Sequence, residues 1–131
     1  MLQRFNNKIR MKDQFLKVDT SKRILKGHVK MIGFKEGDFE IVYLPSLGIS
    51  GYGNTVAEAQ ELIKISIQAF ADDLFKLEEY QIFKELEQLG WKQQKIFKKQ
   101  LRNLSPTTFE DIKREFNIPD NTPITETSIS V

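Results

Sequence analysis

The stretch Gly51-Tyr52-Gly53-Asn54-Thr55-Val56-Ala57-Glu58-Ala59 constrains the fold more than any other part of the chain. Two glycines and an asparagine mark a tight turn, because these residues accept backbone angles that others resist. Thr55 and Glu58 follow at the spacing of a capping box, in which the threonine hydroxyl accepts from the third helical amide and the glutamate reaches back to the cap. Beyond the turn, Val56, Ala59, Ile63, Ile67, Phe70 and Leu74 recur at helical spacing, so the pattern predicts a long helix from Val56 to about Leu77 with one buried stripe. Leu62, Ile65 and Ala69 widen that stripe. So broad an apolar face lies flat across a sheet.

The residues before the turn supply that sheet. Ile24 to Phe34 alternates as a strand, with Gly27 and Gly33 marking a bulge or a close approach. Lys35-Glu36-Gly37-Asp38 is a hairpin turn. Phe39 to Leu44 is rich in aromatic and β-branched residues and ends at Pro45. Leu47 to Ser50 forms a third short strand, giving an antiparallel meander. After the long helix, Glu78 to Leu89 reads as a second amphipathic helix, separate from the first or joined to it through a bend near Leu77. Gly90 follows as a cap, and Trp91 packs back on the helix end. Residues 92–104 place Ile96, Phe97, Leu101 and Leu104 at a spacing that a helix would accept, without deciding the matter. A further helix starts at Ser105-Pro106 and ends near Asn117. The threonine-rich tail to Val131 forms a last strand that completes the sheet or exchanges with a partner chain. The expected fold is α+β: a three- to four-stranded antiparallel sheet packed by a long helix, with additional C-terminal helices and a terminal strand. Three segments divide this one compact domain: a basic N-terminal arm (1–23), a β-β-β-α core (24–77) and a helical extension (78–131).

A net charge of +2 hides an uneven distribution. Residues 1–35 carry +8, residues 36–90 carry −8 and residues 91–131 carry +2. The arm, read as a short helix or an added strand, offers Arg4, Lys8, Arg10, Lys12, Lys22 and Arg23, with Lys26 beyond it, as candidate nucleic-acid contacts. The same charges also suit a solvated arm that pairs with the acidic middle. No run of about 18 apolar residues is present, which excludes a membrane-spanning helix. The N-terminus lacks the uninterrupted apolar segment of a secretory signal, and the chain contains no cysteine; both suit a cytoplasmic protein. His28 is the single histidine and has no cysteine or second histidine with which to bind zinc. The turn at residues 51–53 lacks the lysine of a phosphate-binding loop. Asp38, Glu40, Asp72 and Asp73 are not spaced to converge on metal ions. The expectation is a protein without enzymatic activity, cofactor or metal.

One resemblance rests on particular residues. Tyr43-Leu44-Pro45-Ser46-Leu47-Gly48, then Gly53-Asn54-Thr55, then Glu58-Ala59 resembles the core of HicB-type antitoxins, over about residues 24–76. The chain departs from that pattern in passing from Leu47 directly to Gly48-Ile49, without the Pro-Gly-Cys frequent in the family. The resemblance implies a truncated ribonuclease H-like domain without a catalytic centre. It also implies a small HicA-type toxin, a messenger-RNA interferase, as partner. Operator DNA as a second partner and assembly as a homo-oligomer, in the first place a dimer, belong to the same expectation. The alternative is a nucleic-acid-binding protein or transcriptional regulator that works through the basic arm.

Overall fold

The computed structural model describes residues 14–103 and 108–131. In chain order the elements are β1 (Phe15–Asp19), β2 (Ile24–Glu36), β3 (Phe39–Leu44), β4 (Ile49–Gly53), α1 (Val56–Leu74), α2 (Glu79–Gln88), β5 (Trp91–Gln93), β6 (Gln100–Asn103), α3 (Phe109–Phe116) and β7 (Thr125–Ser130). The fold is α+β, as the sequence pattern predicts, with the long helix on the sheet and a C-terminal strand. The sheet has seven strands where the pattern marked four, in the order β4-β3-β2-β1-β6-β5, with β7 added against β2. Every pairing is antiparallel.

β2 is long enough to serve three partners. Its first residues pair with β1, from Ile24↔Asp19 to His28↔Phe15, and its last with β3, from Ile32↔Tyr43 to Glu36↔Phe39. β7 takes the stretch between, His28 to Gly33. Alternation sends Val29 to the main core beneath α1 and α2, with Leu16, Val18, Val42, Leu44, Ala59, Ile63 and Leu86. It sends Ile32 and Phe34 to a second cluster with Ile112 and Ile118, on the face that α3 covers. There Tyr43 meets the Phe116 ring edge-on at 4.7 Å, and its hydroxyl donates to Glu115 at 3.3 Å. Burial and the adjacent carboxylate push the Tyr43 hydroxyl above the usual tyrosine value.

The helix cap forms where the sequence places it, but the glycine turn does not. Gly51-Tyr52-Gly53 belong to β4, paired with β3, so the third strand of the meander runs Ile49–Gly53 rather than Leu47 to Ser50, and only Asn54 and Thr55 separate it from α1. Neither Gly51 nor Gly53 is among the positive-φ glycines, which are Gly37, Gly48 and Gly90. What they provide is the absence of a side chain. A Cβ at Gly51 would stand 2.7 Å from the Ala59 carbonyl oxygen, and one at Gly53 2.5 Å from the Glu58 Cβ. The first turns of α1 therefore rest directly on the β4 backbone. Thr55 caps the helix by accepting from the Glu58 amide at 3.1 Å, while the Glu58 carboxylate accepts from the Asn54 amide, one residue ahead of the cap.

The largest differences from the sequence reading lie outside the β2-β3-β4-α1 unit. Residues 15–19, grouped with the arm, form β1 in the interior of the sheet. Residues 92–104 contain no helix among the described residues; β5 and β6 form a hairpin instead. Leu101 and Asn103 point inward and Gln100 and Arg102 outward, a period of two that the spacing of Ile96, Phe97 and Leu101 masked. An available edge on β1 decides between the two patterns, because pairing with it buries Leu101. Trp91, fully buried at the start of β5, donates its indole N–H to the Ser46 carbonyl at 2.8 Å. Asn103 donates to the Leu89 carbonyl at 3.0 Å. α1 and α2 are separate helices, and Glu78 starts the second one with a capping box to Gln81.

Replacing Gly51 with alanine forces α1 off β4 and lowers stability by about 1–3 kcal/mol. Trp91→Ala removes a buried aromatic and a buried hydrogen bond, at about 3–5 kcal/mol. Urea unfolding of each variant measures both as a lower midpoint; an unchanged midpoint for Gly51→Ala would contradict the close seating of the helix.

Candidate functional site

The sheet brings together two basic stretches that are far apart in sequence. Residues 15–30 contain five Lys/Arg and one acidic residue, Asp19; residues 91–103 contain five Lys/Arg and no acidic residue. They become adjacent because β6 pairs with β1. The registers Lys92↔Arg102, Arg102↔Phe15 and Phe15↔His28 align four side chains in a row across β5, β6, β1 and β2. Opposed residues share a face. Gln100, Lys17 and Lys26 form the next row on the same face. All seven are exposed, while the intervening Leu16, Val18, Val29 and Leu101 fill the core behind them. Phe15, 38% exposed, sits in the middle of the array with its ring centroid 5.3 Å from that of His28. His28 is thus a surface residue, and its Nδ1 lies 3.2 Å from the Ser130 hydroxyl. At the margin, Lys30 pairs with Glu126 of β7 at 3.0 Å.

Asp19 organises the end of this face. One of its carboxylate oxygens accepts from the Ser21 hydroxyl at 2.7 Å and from the Ser21 and Lys22 amides at 3.1 Å. The other meets the Lys99 ammonium at 3.1 Å. The β1–β2 turn is thereby pinned to the loop between β5 and β6. The Ser21 hydroxyl, then the Lys22 amide and Lys99, hold the carboxyl well below the usual carboxylate range. Of the expected nucleic-acid contacts, Lys22 and Arg23 lie exposed in this turn, with Arg23 at φ 55°. Arg4, Lys8, Arg10 and Lys12 lie outside the described residues. Lys26 joins the array. The sequence reading did not include Lys17, Lys92 or Arg102. The alternation of Gln100-Leu101-Arg102-Asn103 is a signal that could have placed Arg102 on an exposed face, whereas Lys17 and Lys92 join it only through strand pairing.

The helical layer on the other side of the sheet has the opposite sign. Residues 56–88 hold eight carboxylates, all exposed, against three lysines. Two of the lysines make short-range pairs, Lys64 with Glu61 and Lys76 with Asp73. Ile65, 65% exposed, stands among these acids, and Tyr80, 67% exposed, projects from the first turn of α2. Beside the start of α1, a cleft of about 380 Å³ opens between β7, β2, β3 and the helix, with Met31, Val42, Val56, Pro123 and Thr125 in its lining. Asp72 and Asp73 make only local contacts, with Gln68 and Lys76. Among the described residues no group of three or more His, Asp or Glu is placed to hold a metal ion, and no helix is long and apolar enough to cross a membrane. No protein family, curated protein or solved structure matches the chain.

Because the Asp19 carboxyl titrates lower in the folded than in the unfolded protein, its stabilising effect is present above the unfolded value of about 4 and declines as pH falls below it. Asp19→Asn therefore melts below the native protein at neutral pH, and the gap narrows as the pH is lowered toward 2. Thermal melts across that range measure it; a gap that widens in acid contradicts the assignment.

Proposed function

We propose that this chain is a non-enzymatic protein-binding module of the HicB antitoxin type, which neutralises a small basic messenger-RNA interferase of the HicA type. The observation that carries the reading is the β2-β3-β4-α1 unit. Its Tyr43–Ala59 stretch supplies the residues of the resemblance, and its helix leads a surface of eight exposed carboxylates. A protein that binds messenger RNA is basic, so such a surface is complementary to it and steers its approach. Ile65 and Tyr80 add apolar contacts within the acidic field. The cleft beside Val56 offers a seat for one apolar side chain of the partner, the arrangement in which interface residues contribute most. Cytoplasmic location and a homodimeric state belong to the same proposal.

Affinity capture of the tagged chain from its native host is expected to recover a small basic ribonuclease, encoded in the neighbouring reading frame. Ile65→Lys places a positive charge on the acidic surface without touching the core. It weakens that complex about tenfold or more, a change of about 1.4 kcal/mol, with no change in melting temperature. Recovery of no such ribonuclease, or a complex indifferent to Ile65→Lys and to Tyr80→Lys alike, would sink the reading.

A further inference from the structure

We infer that the open face of β5-β6-β1-β2 is a binding site for single-stranded nucleic acid, distinct from the acidic surface used for the protein partner. Three observations converge on it. The face is exposed, with Lys17, Lys26, Lys92 and Arg102 on four adjacent strands. Phe15, exposed amid these cations, presents an apolar ring that the core does not use. The surrounding segments, residues 15–30 and 91–103, carry a single carboxylate between them, and Asp19 is already engaged by Lys99 and the turn.

The dimensions fit the ligand. Four strands about 4.8 Å apart make the row about 14 Å wide, and the second row lies about 7 Å along the strands. That area accommodates about two or three nucleotides, with phosphates beside the lysines and one base on Phe15. Single strands are held in this way, by cations that follow the backbone and aromatic rings on which bases stack. A duplex keeps its bases stacked inside and offers nothing to Phe15; its grooves call for a protruding helix or ribbon. The β5–β6 loop carries a second exposed ring, Phe97, 63% exposed between Lys95 and Lys98. The Lys99–Asp19 contact holds the base of that loop against the β1–β2 turn. Because the ligand phosphates are shared by RNA and DNA, the experiment includes both.

Fluorescence anisotropy of the full-length chain with labelled oligouridine and oligothymidine of about 12 nucleotides, and with a duplex of equal length, tests the site. Single strands are expected to bind more tightly than the duplex, and the RNA and DNA arms show which is preferred. Phe15→Ala is expected to reduce single-strand affinity by about 5- to 150-fold, the measured range for one lost base stack. Lys17→Gln with Lys26→Gln is expected to reduce the slope of log affinity against log salt by about 1.4. Both lysines are exposed, so this double variant leaves folding intact even if Phe15→Ala does not, and Phe15→Leu retains the strand while removing the ring. Absence of binding at low salt overturns the inference, as does affinity unaffected by the lysine changes. Equal binding of duplex and single strand with no effect of Phe15→Leu reduces the face to a plain polyanion surface and also overturns it. Loss of the protein partner in the capture experiment leaves these outcomes untouched.

Discussion

The structure depends on one long strand with core on both sides. β2 pairs with β1, β7 and β3 in succession along its thirteen residues. Its alternation feeds Val29 into the core beneath α1 and α2, and Ile32 and Phe34 into the cluster beneath α3. A strand shifted by one residue would exchange these sets and bring charged side chains into both interiors, so the register is strongly specified. Everything attached to β2 inherits that register. β7, a polar strand by composition, brings Ile129, and Val131 just after it, to the main core only because it pairs where it does.

The two joints that flank this strand work by exclusion as much as by attraction. At the β4–α1 junction the helix comes so close that Gly51 and Gly53 have no room for a side chain. At the far side of the sheet, Trp91 closes the gap between β5 and the β3–β4 loop with a buried indole and one hydrogen bond to Ser46. Between them, α1 and α2 are fastened over one face. The opposite face is covered by α3 only over the end of β2 and over β3. Among the described residues no helix covers the remaining part, over β1, β5 and β6, and that uneven coverage leaves the basic array exposed.

Charge follows the layers rather than the sequence segments. The acidic middle of the chain becomes a helical surface, while basic residues from both sides of it meet on the sheet. An acidic surface and a basic one thus occupy opposite sides of a small domain. Separation by the sheet also reduces the direct pairing that would otherwise neutralise both, since exposed charges more than about 8–10 Å apart are screened at physiological salt.

Local sequence by itself determined the meander, the turn after Leu44-Pro45, the cap at Thr55, the long amphipathic helix and the last strand. Each is specified by residues within a few positions of one another, through turn chemistry, capping and periodicity. The tertiary structure alone decided the rest. Residues 15–19 are a strand because β2 and β6 supply partners on either side, and residues 100–103 are a strand because β1 has an edge for them. In isolation, Ile96, Phe97 and Leu101 suit a helix nearly as well, and nothing within the segment prefers either. The glycines at 51 and 53 were legible as a joint but not as a steric necessity, because their neighbours Ala59 and Glu58 approach only after the helix has docked. The array of Lys17, Lys26, Lys92 and Arg102 was hidden for the same reason. Its members are separated by up to 85 positions in the chain, and only cross-strand pairing brings their charges onto one face.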